Sequence, residues 1–428
     1  MGAALNKPLT DPVNADYQSN LKGWTTLAER MYLWMYAQTG NKGGLAFSAP
    51  LPTVFVYDED FRNIHEHGFD GVFVEGAYRL IDAFGELRSY VLSRLAWDPT
   101  LDAEPLIDEF LAGVYGDAAV YLRRYLDLLR EADARHDQNI RYGFSVWDIR
   151  MFDAPTMLEA ERLLDRAERA VAGGPESLRR RVRRFRLPHD GVMLAKWDDL
   201  AAEAAQQDLD WPSNREARLA QVEATANWWI EQRNERRPHS YALRRTRERV
   251  DEFVEEQRRL MALERKPLPA FFDQFDPEDV YSFTPERFRV GHREKWSVRR
   301  DDPEAASGRA AVQFGDVGRM QTTVLLQTIG LYDHRTPDQR WDVYVSAKVH
   351  ADADMTGEAF CIGYHSRNDE HKRRHWISFD QVERGEYHLY KMPDLRLTEA
   401  GHLWLCPAGR DGIGEIYYDR FILVRQSE

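Results

Sequence analysis

Trp341-Asp342-Val343-Tyr344-Val345-Ser346-Ala347-Lys348-Val349-His350 alternates apolar and polar residues with a period of two. Trp341, Val343, Val345, Ala347 and Val349 therefore share one side of an extended chain, and the polar residues and Tyr344 share the other. Such a strand buries one face. Working outward, similar short runs occur at Thr322–Leu326, Ala359–Tyr364, His375–Phe379, Tyr387–Tyr390, His402–Leu405 and Glu415–Val424. Gly357, Gly385, Pro393, Gly401 and Gly409 punctuate them. About seven or eight strands at such intervals predict an antiparallel β-sandwich over residues 269–428. Between two of the runs, His371-Lys372-Arg373-Arg374-His375 reads as a polar hairpin loop.

Upstream, residues 86–268 read as helical. Met157, Ala160, Leu164, Ala167 and Val171 recur at steps of three and four behind Asp153 and Pro155, and Gly173-Gly174-Pro175 stops them. Leu219, Val222, Ala226 and Trp229 share another helical face, and a last helix runs from about Ser240 to Glu264. Residues 1–85 alternate differently. Asn14–Arg30 and Phe55–His67 read as helices, and Met31–Tyr36 and Phe69–Gly76 as strands. Helix, strand, helix, strand is the order of an α/β fold with parallel strands. The chain thus divides into three segments, 1–85, 86–268 and 269–428.

Composition excludes several functions. The 428 residues carry 58 Lys and Arg against 71 Asp and Glu, a net charge of −13. A chain this acidic lacks the cation surplus that phosphate backbones require, so no nucleic-acid partner is expected. Two cysteines, Cys361 and Cys406, exclude a disulfide scaffold and a cysteine-rich zinc site, and leave one disulfide open. No secretory leader pattern opens the sequence, and Asn6 breaks the myristoylation motif. No apolar stretch reaches ~18 residues, so no membrane span is expected and the chain as given reads as cytoplasmic. No Walker, GxSxG, HExxH or dinucleotide motif is present, and no cofactor or metal is expected. His65 and His67 are two apart and share no helix face, so they read as solvated helix-end residues. Arg179, Arg180, Arg181, Arg183, Arg184 and Arg186 read as a salt-bridged helix face.

Three ordered segments resemble a known family. They are Leu9-Thr10-Asp11-Pro12 with Asn20-Leu21-Lys22-Gly23-Trp24, then Tyr32-Leu33-Trp34-Met35-Tyr36 with Pro50-Leu51-Pro52, then Gly71-Val72-Phe73-Val74-Glu75-Gly76 leading into Leu95-Ala96-Trp97-Asp98-Pro99. Glu109-Phe110, Tyr115-Gly116 and Tyr125-Leu126 continue the pattern. Residues 8–130 are thereby similar to the bacterial domain-of-unknown-function 4838 family. The resemblance implies a TIM-barrel glycoside hydrolase related to endo-β-N-acetylglucosaminidases. It also implies that the match begins near the sixth barrel strand, with Met31–Tyr36 as the seventh and Val72–Glu75 as the eighth. A complete barrel takes ~250 residues, so the chain is expected to hold the C-terminal part of a (β/α)8 barrel, lacking the N-terminal part. The fold expected is multidomain α+β: that barrel portion, a helical region, and a jelly-roll-like sandwich. Met35 stands where the family pattern leads one to expect an acidic residue.

Glycoside hydrolysis needs a carboxylic acid and a second group across the scissile bond, and TIM barrels place such groups at the C-terminal ends of strands. Glu75 ends a predicted strand and is the candidate acid; the alternative is a carboxylate lining the loop. Trp34 and Tyr36 share one strand face and are candidates to stack on a sugar, or to pack in a core. Asp11 either binds a sugar hydroxyl or closes an Asx-turn. Trp404, Tyr417, Tyr418 and Asp419-Arg420-Phe421 are similar to carbohydrate-binding jelly rolls appended to glycosidases, and Trp404 is the candidate sugar platform there. Tyr364, Trp376, Tyr387 and Tyr390 are further aromatic candidates. The function expected is part of a glycoside hydrolase-like protein that binds or acts on glycan, inactive as this chain alone: either the C-terminal portion of such a protein or a chain working with a partner chain that supplies the missing barrel strands. A non-catalytic carbohydrate-binding or scaffolding protein is the alternative.

Overall fold

The computed structural model describes residues 3–37, 45–75, 81–82, 84–236, 240–263, 265–290, 297–308, 310–314, 324–328, 330–366, 372–399, 401–410 and 412–426. They fall into two compact units, Met1–Arg258 and Arg259–Glu428, so residues on both sides of position 85 share the first unit.

The first unit opens with helix α1 (Ala15–Trp24), strand β1 (Tyr32–Tyr36), helix α2 (Tyr57–Glu66) and strand β2 (Gly71–Glu75). Gly68, at φ +74°, ends α2 in a conformation that a Cβ disfavours. β1 and β2 pair in parallel, from Tyr32 opposite Gly71 to Tyr36 opposite Glu75. They form a two-stranded sheet. The barrel portion expected from the sequence is thus confined to one strand pair: no closed barrel exists among the described residues. One face of this pair is covered. Leu33 packs with Leu9, Leu21 and Ile64, and Met35 and Val72 close over them.

The helices that follow are α3 (Gly85–Trp97), α4 (Ala103–Tyr115), α5 (Ala119–His136), α6 (Ala154–Ala170), α7 (Glu176–Ala195), α8 (Trp197–Gln206) and α9 (Arg215–Arg236); α10 (Tyr241–Ala262) contains the boundary between the units. Asp153 caps α6: its Oδ1 accepts from the Thr156 N–H at 2.8 Å, with Pro155 in the first turn. Met157, Ala160, Leu164 and Ala167 are buried, as their spacing requires. The arginine run of α7 divides. Arg180 pairs with Glu176 and Arg184 with Glu86 on the surface. Arg186 instead lies in the core with Arg218, and the two guanidiniums share Glu161 and Asp190. Charges buried this deeply persist only when paired on several sides.

The second unit is antiparallel. Its strands are β3 (Val280–Phe283), β4 (Arg289–Val290), β5 (Ser297–Asp301), β6 (Ala310–Phe314), β7 (Val324–Gln327), β8 (Arg340–Ala351), β9 (Glu358–Ser366), β10 (Lys372–Ser378), β11 (Tyr387–Arg396), β12 (Gly401–Pro407) and β13 (Ile413–Arg425). One sheet runs β10-β9-β12-β7-β4 and the other β11-β8-β13-β6-β5, with β3 also on β13. Between them lie Trp341, Val343, Val345, Ala347 and Val349 of β8, with Phe360, Ile362 and Tyr364 of β9 and Leu403 and Leu405 of β12. The alternating run Trp341–His350 thus lies in an interior strand of one sheet, between β11 and β13. A register shift between Tyr418 and Arg420 changes the phase of β13, so Ile416, Tyr418, Phe421 and Leu423 all reach the core. Asp419 and Arg420, at that shift, are buried as structural groups: the Arg420 guanidinium donates to the carbonyls of Lys266, Pro267 and Ala306, and Asp419 accepts from the Ser307 N–H. The basic run expected to form a hairpin loop is corrected by the structure, because Lys372–Ser378 is the edge strand β10. His371 lies outside the described residues.

Candidate functional site

The residues singled out from the sequence occupy two places. Four belong to the first unit. Trp34 and Tyr36 lie on the uncovered face of β1, 59% and 37% exposed, with Tyr32 and the Phe73 ring of β2 beside them. Trp34 meets Phe73 edge to face at 5.0 Å, and Tyr36 stacks on Tyr142 at 4.1 Å. Glu75, half-buried, is the last residue of β2 and sits opposite Tyr36 in the register. Gly76, which follows it, lies outside the described residues. Asp11 caps a short 3-10 turn, where its Oδ1 accepts from the Val13 N–H at 2.9 Å. That is the Asx geometry. The fifth residue, Trp404, belongs to the second unit.

Around Trp404 the sheet itself builds a platform. β9, β12 and β10 run side by side, and their registers place Gly363 between Trp404 on one side and Arg374 on the other. All three residues project from the outer face, because Ile362, Tyr364, Leu403 and Leu405 take the inner one. Gly363 carries no side chain there, and Trp404 uses the space. A Cβ at position 363 would meet the six-membered ring of the indole, with Cδ2 only 2.5 Å away. The ring atoms nearest that point are Cε2 and Cζ2, then Cδ2; Cε2 is enclosed in the ring plane by its three bonded neighbours, so the approach is through a face of the ring, which covers the glycine. The Arg374 guanidinium lies 5.9 Å from the ring centroid, at cation–π range. One row along, His365 and His402 face each other with centroids 5.3 Å apart. The His365 Nδ1 is buried and has no hydrogen-bond partner among the described residues. In the row on the far side, Cys361 and Cys406 stand opposite each other as buried free thiols.

Of the other aromatic candidates, Trp376 stands half-buried on β10 opposite Cys361, and the tyrosines are spoken for. Tyr364 and Tyr390 are core residues. Tyr387 gives its hydroxyl proton to Asp302 at 2.6 Å. Asp302 and Glu304 each lie 3.3 Å from the Lys348 ammonium, which sits over the Tyr387 and Tyr417 rings. Burial opposes ionisation of Asp302, yet the Tyr387 hydroxyl, the Glu304 N–H and Lys348 hold its carboxyl below the usual range. This cluster is internally satisfied. His67 turns its Nδ1 to the Asn63 carbonyl at 2.8 Å, and among the described residues no group of three or more His, Cys, Asp or Glu could hold a metal. No helix among them is long and apolar enough to cross a membrane.

Sequence reasoning found Trp404 but missed Gly363, Arg374, His365 and His402. The signal was present: Trp404 is two from His402, and Gly363 is two from His365, so each pair shares a strand face. Pairing across strands is what a one-dimensional reading lacks.

Residues 1–127 match the family described as domain of unknown function DUF4838. The DUF4838 segment holds β1 and β2 and ends within α5. No curated protein matches the chain. Among solved structures, the chain is similar to a family 35 carbohydrate binding module from Clostridium thermocellum, at 14% identity and a TM-score of 0.25, covering 34% of this chain and 98% of that one. It is similar to the C-terminal family 22 carbohydrate binding module of Clostridium thermocellum Xyn10B, at 14% and 0.26, covering 35% and 96%. It is also similar to the CBM22-1–GH10 modules of Clostridium thermocellum endo-1,4-beta-D-xylanase 10B, complexed with xylohexaose, at 10% and 0.25. The match covers 35% of this chain and spans 28% of that one. Likeness of this degree identifies no ligand.

Proposed function

We propose that the chain binds carbohydrate on the outer face of its C-terminal sandwich, with Trp404 as the stacking platform. The observation that carries this is the indole ring held with its face against Gly363. An aromatic ring lying along a sheet suits the apolar face of a pyranose, and the neighbouring Arg374, His365 and His402 supply polar contacts for hydroxyl groups. The wider reading is a glycoside hydrolase-like protein in which the DUF4838 segment forms the last two strands of a barrel. Trp34 and Tyr36 would line that barrel's interior, Glu75 would stand at its mouth, and a partner chain would supply the remaining strands. In this reading the 428-residue chain binds glycan without hydrolysing it.

Calorimetric titration of the purified chain with a panel of neutral oligosaccharides tests the proposal. The expected result is binding that falls at least tenfold in Trp404→Ala, in line with the ~1.5–3 kcal/mol of burying a large apolar side chain. Unchanged affinity in Trp404→Ala would remove the platform from the site, and no binding to any member of the panel would remove the function.

A further inference from the structure

At the open edge of the sandwich, β10 and the end of β11 enclose a cleft of about 270 Å³. Its cationic lining is Arg340, Lys372, Arg373 and Arg396, against a single carboxylate, Asp394. Buried Tyr364 and Leu395 supply apolar lining. We propose that this cleft receives the anionic group of an acidic glycan, a uronate carboxylate or a sulfate ester. The proposal rests on the sugar-binding reading of the Trp404 face and names the substrate class for it.

The arrangement of charge is unusual for a chain of net charge −13. Arg340 and Arg396 stand directly opposite each other in the β8–β11 register, where like charges repel. Asp394 offsets part of this, with its Oδ1 3.8 Å from Arg340 Nε, and Asp338 takes Arg396 at 3.3 Å. Arg373 spends one N–H on the Asp394 main-chain carbonyl. The Lys372 side chain is exposed and makes no hydrogen bond or ion pair among the described residues. Cationic groups therefore converge on a cavity with more positive charge than its own carboxylate balances.

The backbone is shaped at the same point. The register of β11 against β8 slips between Met392 and Leu395, and Asp394 takes φ +56° there. Slips of this kind re-aim side chains and recur beside binding sites. A volume of about 270 Å³ is just under the ~300–1,000 Å³ of drug-sized pockets, which suits one sugar unit and its charged group. The cleft also adjoins the platform. Lys372 is two residues from Arg374 on the same face of β10, ~7 Å along the strand. A saccharide lying on Trp404 thus extends toward the cleft across Arg374.

The test titrates the whole chain with matched neutral, uronate-bearing and sulfated oligosaccharides, at low and at 0.5 M salt (~4 Å screening length). The expected result is at least tenfold tighter binding of an acidic member at low salt, a preference that collapses at high salt. In the Arg340→Gln/Lys372→Gln double variant the preference should vanish while neutral binding stays. The uronate and sulfate arms report which anion is preferred. Equal affinity for acidic and neutral members, lost together in Trp404→Ala, overturns the inference and leaves the sugar-binding reading standing. A preference that survives the double variant overturns it as well, and no binding by any member overturns both.

Discussion

Gly363→Ala turns the contact beneath Trp404 into a measurable quantity. In an ordinary strand this substitution stabilises a protein by ~0.4–1 kcal/mol, because alanine has less unfolded-state entropy to lose. Gly363 lies in regular β9 backbone without a positive φ, so that gain is available. Against it stands the ring. The new Cβ would lie 2.5 Å from Trp404 Cδ2 and closer still to its neighbours, whereas carbon atoms rest at ~3.5–4.0 Å. To bring its nearest ring atoms to contact distance, the indole must rise by roughly 1.5 Å or swing off the sheet. Overpacking of this kind costs ~1–3 kcal/mol, which exceeds the backbone gain and sets the sign. Net of the backbone gain the loss is up to about 2.6 kcal/mol, which for a unit spanning Arg259–Glu428 corresponds to a fall in Tm of up to roughly 10 °C. Scanning calorimetry of the whole chain reads it, on the transition that Trp404→Ala also moves. The pair is coupled, so in a Trp404→Ala background Gly363→Ala should become stabilising. Saccharide affinity should fall with the single Gly363→Ala change, because the platform is displaced. A rise in Tm for Gly363→Ala with Trp404 intact would refute the claim that the ring rests on the glycine.

The purified chain should show no appreciable turnover of N-glycan or β-N-acetylglucosaminide substrates. Glu75 stands opposite an aromatic residue, whereas hydrolysis needs a second group at a fixed distance; robust turnover abolished by Glu75→Gln would contradict this. Burial, with the Glu59 and Asp58 charges adding to it, pushes the Asp60 carboxyl up to about 7, although the Leu9 N–H works against the shift. The folded state therefore holds a proton that the unfolded state releases, and stability falls as pH rises from about 4 to 7 by about 4 kcal/mol from this residue. Asp60→Asn should flatten that decline in urea titrations across the window while keeping the 2.6 Å bond from Leu9; an unchanged wild-type slope in the variant would count against it. Residues Arg259–Glu428 should fold alone, since one sandwich of that size holds its own core and the segment keeps the Lys266 and Pro267 carbonyls that hold Arg420; a circular dichroism spectrum without β structure would move the boundary.

The sandwich was legible because its strands carry the period-two signal on one buried face. β8 is the clearest case, and β9, β12 and β13 follow it. β4, β5 and β6 were missed for a physical reason: Arg289–Val290 is two residues long, Ser297–Asp301 has no apolar alternation, and Ala310–Phe314 is buried at nearly every position. β10 was misread because charged residues dominate its start. On an edge strand those charges also block sheet-to-sheet pairing, so a strand with Lys372, Arg373 and Arg374 mimics a loop in composition. Arg186 was misplaced likewise. Its neighbours Arg180 and Arg184 are surface residues, and only the three-dimensional return of Glu161, Asp190 and Arg218 makes its burial tolerable. The candidate site was half legible. Aromatic residues advertise themselves in a sequence, but the glycine that lets one lie along the sheet and the arginine beside it come from different strands.

The open face of β1–β2 carries aromatic residues, as the proposed platform of the second unit does. A parallel strand pair presents alternate residues to opposite sides, and here one side is covered by Leu9, Leu21 and Ile64. The other side carries Tyr32, Trp34, Tyr36 and Phe73, all exposed. Residues destined for solvent are seldom a contiguous aromatic row, because such a patch exposes a large apolar area. Two occupants satisfy it, namely further strands closing around it or flat apolar ligand faces resting on it. In a barrel both hold at once, since interior side chains near the strand ends meet substrate. Trp404 presents the same chemistry on an isolated sandwich, where no closure is needed. If the two places serve one glycan, Trp34→Ala should leave binding by the chain nearly unchanged while Trp404→Ala removes it, because among the described residues β1 and β2 pair only with each other, whereas the Trp404 platform is built from three adjoining strands. Equal losses from the two substitutions would instead show that the β1–β2 face already binds sugar without the rest of a barrel.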